Sequence, residues 1–447
     1  MNGGATTRRG ALLGAAALLG GCETFDSIFG ERRERFPGER RSVMDIPERS
    51  LQADAAAQGA AVALPPPAPR ADWPVAGGDN AHSGGHIAFG PGLGRAWSTG
   101  FGSGSAYRRR LLAGPVAAGG TAYISDALGA VSAFDVATGS RRWRRDTDRT
   151  NDDDGTMGSG IAVSGETLFV STGLSELMAL NAADGSVRWR VDLPAPARGA
   201  PAIAGGTVFV PTVSSHLVAL AADDGRRLWM HRAAAIPTIP LGLGTPAVEG
   251  DLVVAGFPSG ELIALRVTDG RVMWSESLAA AGTGALSDIA GVRARPAIAG
   301  GRVVAIGMGG LTICVDLRSG RRLWEQEAGG TEGPWMAGDW VFLTNDAGQV
   351  AALERETGQI RWATSLRPAP RGNRPPERIA LSSPLLAGGR LLVGTSASEL
   401  VSLDPSSGAV SARLPLPAGL ALQPIVTGSV LLAATDDATL IALSGGS

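Results

Sequence analysis

Four His, two Cys and one acidic run are the residues of this 447-residue chain whose types and spacing could do chemistry. His82-Ser83-Gly84-Gly85-His86 has the spacing of a metal-binding pair. Without partner ligands alongside, it reads as a Gly-rich loop. His216 opens an alternating apolar run and His231 follows a Trp, so both read as structural. Asn151-Asp152-Asp153-Asp154-Gly155 begins like a calcium loop but lacks the Glu that would close it, and reads as a solvated turn. Cys314 stands where sister segments carry Ala, which makes it a small buried residue rather than a reactive thiol. No Walker loop, Gly-x-Ser-x-Gly or Cys-x-x-Cys-His run is present. The expectation is a chain with no catalytic residue, no cofactor and no metal.

Cys22 is different. Arg8-Arg9 precede an apolar run, Ala11 to Leu19, too short to span a bilayer. Leu19-Gly20-Gly21-Cys22 then has the form of a lipobox, in which the Cys thiol is acylated and becomes the first mature residue. Residues 1–22 read as a lipoprotein signal, exported by the general route or, through Thr7-Arg8-Arg9, by the twin-Arg one. Glu23 rather than Asp follows the Cys, which by lipoprotein sorting rules favours the outer membrane. Residues 23–70 mix charge, Ala and the run Pro65-Pro66-Pro67-Ala68-Pro69, and read as a disordered tether that packs on nothing.

What must position any site is a repeated frame in residues 71–447. Ala-x-Asp-x-x-Thr-Gly-x-x-x-Trp, with variations, occurs at 133–143, 179–189, 219–229, 264–274, 314–324 and 352–362. A seventh copy, 402–412, keeps Gly408 and has Ala412 in place of Trp; an eighth begins at Ala442. Apolar residues alternate with period two before each copy, as strands require, and the Gly-bearing step is hairpin-turn chemistry. The Trp lies in an outermost strand, where its indole can bridge to the next unit. One such unit cannot cover both faces of its sheet, so it stacks on copies of itself. Residues 424–443 supply three strands without a fourth, and Gly94-Arg95-Ala96-Trp97 supplies a fourth without a blade. The expected fold is therefore all-β, an eight-bladed propeller of four-stranded antiparallel blades, closed by an N-terminal strand. Long connections at 233–244, 279–295 and 367–378 are where function would lie. A net charge of −2 and a pI near 6.2 argue against nucleic acid as a partner.

The frame resembles the repeat of PQQ-enzyme-like propellers, a superfamily of quinoprotein dehydrogenases and non-catalytic scaffolds. The lipobox at Cys22, the opening Ala96-Trp97-Ser98-Thr99-Gly100 and the run Cys314-Val315-Asp316-Leu317 after Leu286-Ser287-Asp288 resemble the scaffold branch, the BamB family. Its members are lipoproteins of the outer-membrane β-barrel assembly machinery. The resemblance covers residues 71–447. It implies a scaffold anchored in the cell outer membrane and facing the periplasm, with POTRA domains of the barrel-forming subunit and unfolded outer-membrane protein clients as partners. It implies docking through two neighbouring inter-blade loops. Residue by residue, the family's apolar pair matches Ile239 and Leu241, and its first Asp matches Asp288. Its Arg falls at Gly242 or a gap, its second Asp falls on Ala290, and the loop bearing Asp288 is longer here. Two alternatives stand beside this reading: a quinoprotein oxidoreductase, which would need a calcium-binding Glu/Asn/Asp set and an Asp base, and a free-standing periplasmic binding propeller.

Overall fold

Each frame folds as the third and fourth strands of a blade. The computed structural model describes residues 50–55, 62–107, 109–147, 158–236, 241–279, 291–368 and 377–446. These form eight four-stranded antiparallel sheets. Blades 1 to 7 span 116–145, 160–192, 202–232, 247–277, 297–326, 335–365 and 385–415. Blade 8 takes three strands from 425–444 and its outer strand from Gly94–Gly100. The closing pairs run from Gly94↔Ser444 through Trp97↔Ala442 to Gly100↔Thr439. The ring therefore closes as its sequence demands, and no blade is left with an unpaired face.

The small first residue of the frame has a steric cause. In blade 3, Ala219 pairs with Phe209 on one side and with Trp229 on the other. The two rings meet across it at 5.8 Å between centroids. Tyr123 and Trp143, Phe169 and Trp189, and Phe342 and Trp362 repeat the arrangement across Ala133, Ala179 and Ala352. Cys314 occupies the same position opposite Trp324, is fully buried, and has its thiol pushed up to about 12 by desolvation.

The frame glycine has one too. Gly139, Gly185, Gly225, Gly270, Gly320, Gly358 and Gly408 sit at φ between 70° and 74°, and a Cβ on any of them would come under 3.0 Å from the Trp of the preceding blade. Each of those indoles donates its N–H to a carbonyl of the same next blade at 2.7–3.3 Å. Blade 7 lacks the Trp because blade 8 has no such turn: its third strand ends at Ser444 and its fourth begins elsewhere in the chain, at Gly94. With nothing for an indole to lie under, Ala412 suffices.

The ring is filled along its axis by residues 70–87. Arg70 accepts from Gly428 of blade 8; Trp73 exchanges backbone bonds with Ala117 of blade 1; Pro74 accepts from Val163 of blade 2. Val75 packs with Ile203 and Val208 of blade 3. Asn80 and Ala81 accept from Val248 and Ile298 of blades 4 and 5, Gly85 donates to Met336 of blade 6, and Ile87 pairs with Leu386 and Gly388 of blade 7. The segment thus visits every blade in order and satisfies inner-strand groups that would otherwise face the channel.

The stretch expected to be a free tether departs from that reading over its described part. Leu51 and Val62 are buried. Ala68 pairs in parallel with Ile87, and Pro65 accepts from His86 Nδ1 at 2.8 Å. An extended Pro-rich chain needs few donors, so it can lie along a surface as an extra edge without leaving polar groups unmet.

Candidate functional site

Inside the ring, the axial segment floors a funnel of about 680 Å³, with Trp73, Ala76 and Gly77 at its base. Trp73 is itself fixed by stacking on Trp335, centroids 6.0 Å apart and planes 15° from parallel. Gly114, Ala200, Thr245, Arg295, Gly333 and Gln423, each followed by the Pro that leads into an inner strand, line the funnel. Arg295 donates to Ser383 Oγ at 3.0 Å and to Gln423 Oε1 at 2.7 Å, and Ser383 Oγ donates to Glu332 at 3.2 Å. One guanidinium therefore ties blades 5 to 8 together across the axis. Burial pulls Arg295 down to about 10, and burial raises the Glu332 carboxyl against the pull of Arg293 and Arg295.

The histidines are occupied structurally. His82 is 1 % exposed, with Nδ1 on the Pro296 carbonyl at 2.7 Å. His86 uses both ring nitrogens, on Pro65 and on the Gly389 amide. His216 bonds Ser214, and His231 meets Phe257 edge-on. No group of three His, Cys, Asp or Glu side chains among the described residues is placed to hold a metal.

Burial and the Arg295 charge hold His82 at about 4, against an ordinary 6.5. The unfolded chain therefore takes up its proton first, and stability should fall as the pH drops from about 6.5 to about 4, by about 3 kcal/mol. Urea midpoints across that range measure the loss. His82→Asn tolerates the φ of 55° and can still donate to Pro296, so it should flatten the slope.

Two of the long connections reach the funnel through their described ends, Leu241 to Gly244 and Arg293 to Arg295. Ile239, Asp288, Cys22 and the 151–155 run lie outside the described residues. Leu241 is described, lines the funnel mouth and is 49 % exposed. Next to it Leu243 turns inward and donates its N–H to Arg198 O at 3.0 Å. The described ends of the two connections are close: a Cβ on Gly244 would stand 2.8 Å from the carbonyl oxygens of Arg293 and Ala294. A Cβ on Gly242 would stand 3.1 Å from Arg293 Nε. The Arg expected at Gly242 is thus absent from that loop, and a guanidinium from the neighbouring one overlies the position. Sequence reading missed Arg293 because the neighbour is near in space and fifty positions away in the chain. It also missed Tyr107, 96 % exposed on the connection whose Arg110 to Gly114 line the same funnel. An aromatic amid Ser, Gly and Arg was the available signal.

Known proteins share this architecture. BamB from Moraxella catarrhalis superposes with a TM-score of 0.67 at 22% identity, over 79% of this chain and 99% of that one. A quinohemoprotein alcohol dehydrogenase from Pseudomonas putida superposes at 0.66 with 14% identity, over 84% and 81% of the two chains. Both likenesses bear on the fold. Among curated sequences, the outer membrane protein assembly factor BamB of Kangiella koreensis is 30% identical over 158 residues, 34% of this chain and 38% of the relative. That of Salmonella typhimurium is 27% identical over 166 residues, 37% and 40%. The matched stretch spans about two fifths of those relatives. The profile of the family described as outer membrane protein assembly factor BamB matches residues 127–364 and 373–447, all but the first blade's opening strands and the closing strand of the ring. With the repeat, the closure and that profile in agreement, the chain belongs to the outer membrane protein assembly factor BamB family.

Proposed function

We propose that this protein is a non-catalytic subunit of the outer-membrane β-barrel assembly machinery, lipid-anchored through Cys22 and facing the periplasm. Its funnel rim docks POTRA domains of the barrel-forming subunit and so assists assembly and insertion of outer-membrane proteins, whose unfolded chains are further partners. The observation that carries the reading is the half-exposed Leu241 beside Arg293 on the rim formed by two successive connections. An aliphatic side chain left in solvent next to a guanidinium has the composition of an interface centre, where an apolar anchor and an Arg contribute most of the binding energy. In this reading Ile239 and Asp288 extend the patch, and Arg293 takes the part of the Arg missing at Gly242.

The funnel supports the non-catalytic half of the proposal. A quinone–calcium centre needs a carboxylate cage. The funnel's carboxylates are Glu332, Asp346 and Asp436; Glu332 already accepts from Ser383 Oγ, and among the described residues no three such groups are placed together to hold a metal. The test is a mild-detergent pull-down of the acylated full chain from envelopes. Recovery of the barrel-forming subunit is expected; quinone-dependent dye reduction without that recovery would reverse the assignment.

A further inference from the structure

One stretch of wall is built unlike the others. In each blade the residue just before the frame's small first position faces a residue of the outer strand. The pairs are Ser132↔Arg144, Met178↔Arg190, Val218↔Met230, Ile263↔Ser275, Ile313↔Glu325, Val401↔Arg413 and, in blade 8, Ile441↔Ser98. Blade 6 alone among these sheets pairs two alanines there, Ala351↔Ala363. Leu51 belongs to the buried cluster between blades 5 and 6 with Trp324, Ala328 and Ile360, and Ala363 packs against that cluster.

The polar groups around Leu51 are as specific. Gln349, itself 6 % exposed, accepts the Leu51 N–H at 2.8 Å and donates to the Leu51 carbonyl at 3.1 Å and to Ser50 Oγ at 3.0 Å. Asn345 fixes that amide by donating to its oxygen at 3.0 Å. Other blades begin this strand with Glu176, Glu261 or Glu399. A carboxylate could accept from a backbone N–H but could not donate to its carbonyl, so only the amide reads both groups of one residue. Three positions on, Asp54 N–H donates to Ile360 O at 2.8 Å, and the Asp54 carboxylate accepts the Ile360 N–H at 2.6 Å. Ile360 opens the outer strand, so these are edge groups of the sheet, met by a partner chain.

We propose that the wall between blades 5 and 6 is a docking groove for an extended segment with an aliphatic residue followed three positions later by Asp, and that residues 50–54 are its resident occupant. The groove clasps the N-terminal extension to the ring at one point, ahead of the axial circuit. It is independent of acylation at Cys22 and of docking at the Leu241 rim.

The experiment uses the full chain and a fluorescent peptide of residues 48–56. In the wild-type protein the tethered segment holds the groove at high local concentration, so the peptide should bind poorly. In the Leu51→Asp chain the groove is vacated, and the peptide should bind at least about tenfold more tightly than to wild type. The same peptide carrying Leu51→Asp should not bind. Hydrogen exchange at the Ile360 amide supplies a second readout: protected in wild type, fast in the variant, protected again with peptide. If Leu51→Asp disturbs folding, Gln349→Glu, which keeps the acceptor and loses the donor, serves through exchange: the Ile360 amide should exchange fast and stay fast when peptide is added, and protection as in wild type would overturn the proposal. Equal peptide binding to wild type and the Leu51→Asp chain, or no binding to that chain when it melts like wild type, overturns the proposal.

Discussion

Trp73→Ala should cost about 3–5 kcal/mol and lower the melting temperature by roughly 5 °C. The ring is 1 % exposed and stacks on Trp335 of blade 6, while its backbone is paired with Ala117 of blade 1. Removing it leaves a void in a place where eight blades converge and none can move inward alone. Arg70, whose guanidinium lies 5.2 Å over the same ring and 3.3 Å from Asp79, would lose its seat as well. Hydrogen exchange should then quicken at Ala117, Val248 and Ile298, whose amides are paired with the circuit's backbone. Tyr107→Ala, at a fully solvated aromatic, is the control and should leave the melt unchanged. If Trp73→Ala also melts within about a degree of wild type, the circuit is an ornament of the ring rather than part of its core.

The blades were legible because their constraints are local. A Trp, the small residue opposite it and a turn Gly sit at fixed offsets, and each has a steric reason visible within one hairpin and its neighbour. Closure was legible by the same logic, since three strands at one end and one Trp strand at the other have a single economical use. Even the Ala412 exception follows once blade 8 is seen to lack a hairpin turn between its last two strands. The axial circuit was not legible. Its bonds run from backbone to backbone, so residues 70–87 carry no period and little side-chain signature beyond Trp73 and the glycines.

The clasp at Leu51 and the guanidinium over Gly242 escaped for a related reason. Each is a contact between positions far apart in the chain, and what marks it is the odd residue on the receiving side. Ala363 stands where other blades carry a longer side chain, Gln349 where several carry Glu, and Gly242 where the resemblance places an Arg or a gap. Read alone, each is an unremarked small or polar residue. Read against its seven counterparts, the first two become signals of something seated there. Repetition is thus useful twice: the shared positions define the fold, and departures from them mark what has been added to it.

The paired change Ile239→Asp and Leu241→Asp should abolish co-purification with the barrel-forming subunit. Each apolar anchor at an interface centre is worth about 2 kcal/mol or more, so affinity should fall at least about a hundredfold. Leu241 is half in solvent, so an Asp there meets water and needs no buried partner; the melting temperature should stay near wild type. Were the loop instead packed back on the ring, the same charges would be buried unpaired and the melt would drop with the binding. Arg293→Gln separates the two neighbouring loops' contributions. It removes the charge beside Gly242 and leaves a shorter neutral side chain with an amide donor, and should weaken docking by about tenfold, with a smaller dependence of binding on salt. Burial raises the carboxyls of Glu332 and Asp346 and Arg293 draws both down, so its loss should shift both further upward. Undiminished co-purification of the Asp pair, with the wild-type melt retained, would move the docking surface off this rim; Tyr107 and the connection that bears it would then be the next to change.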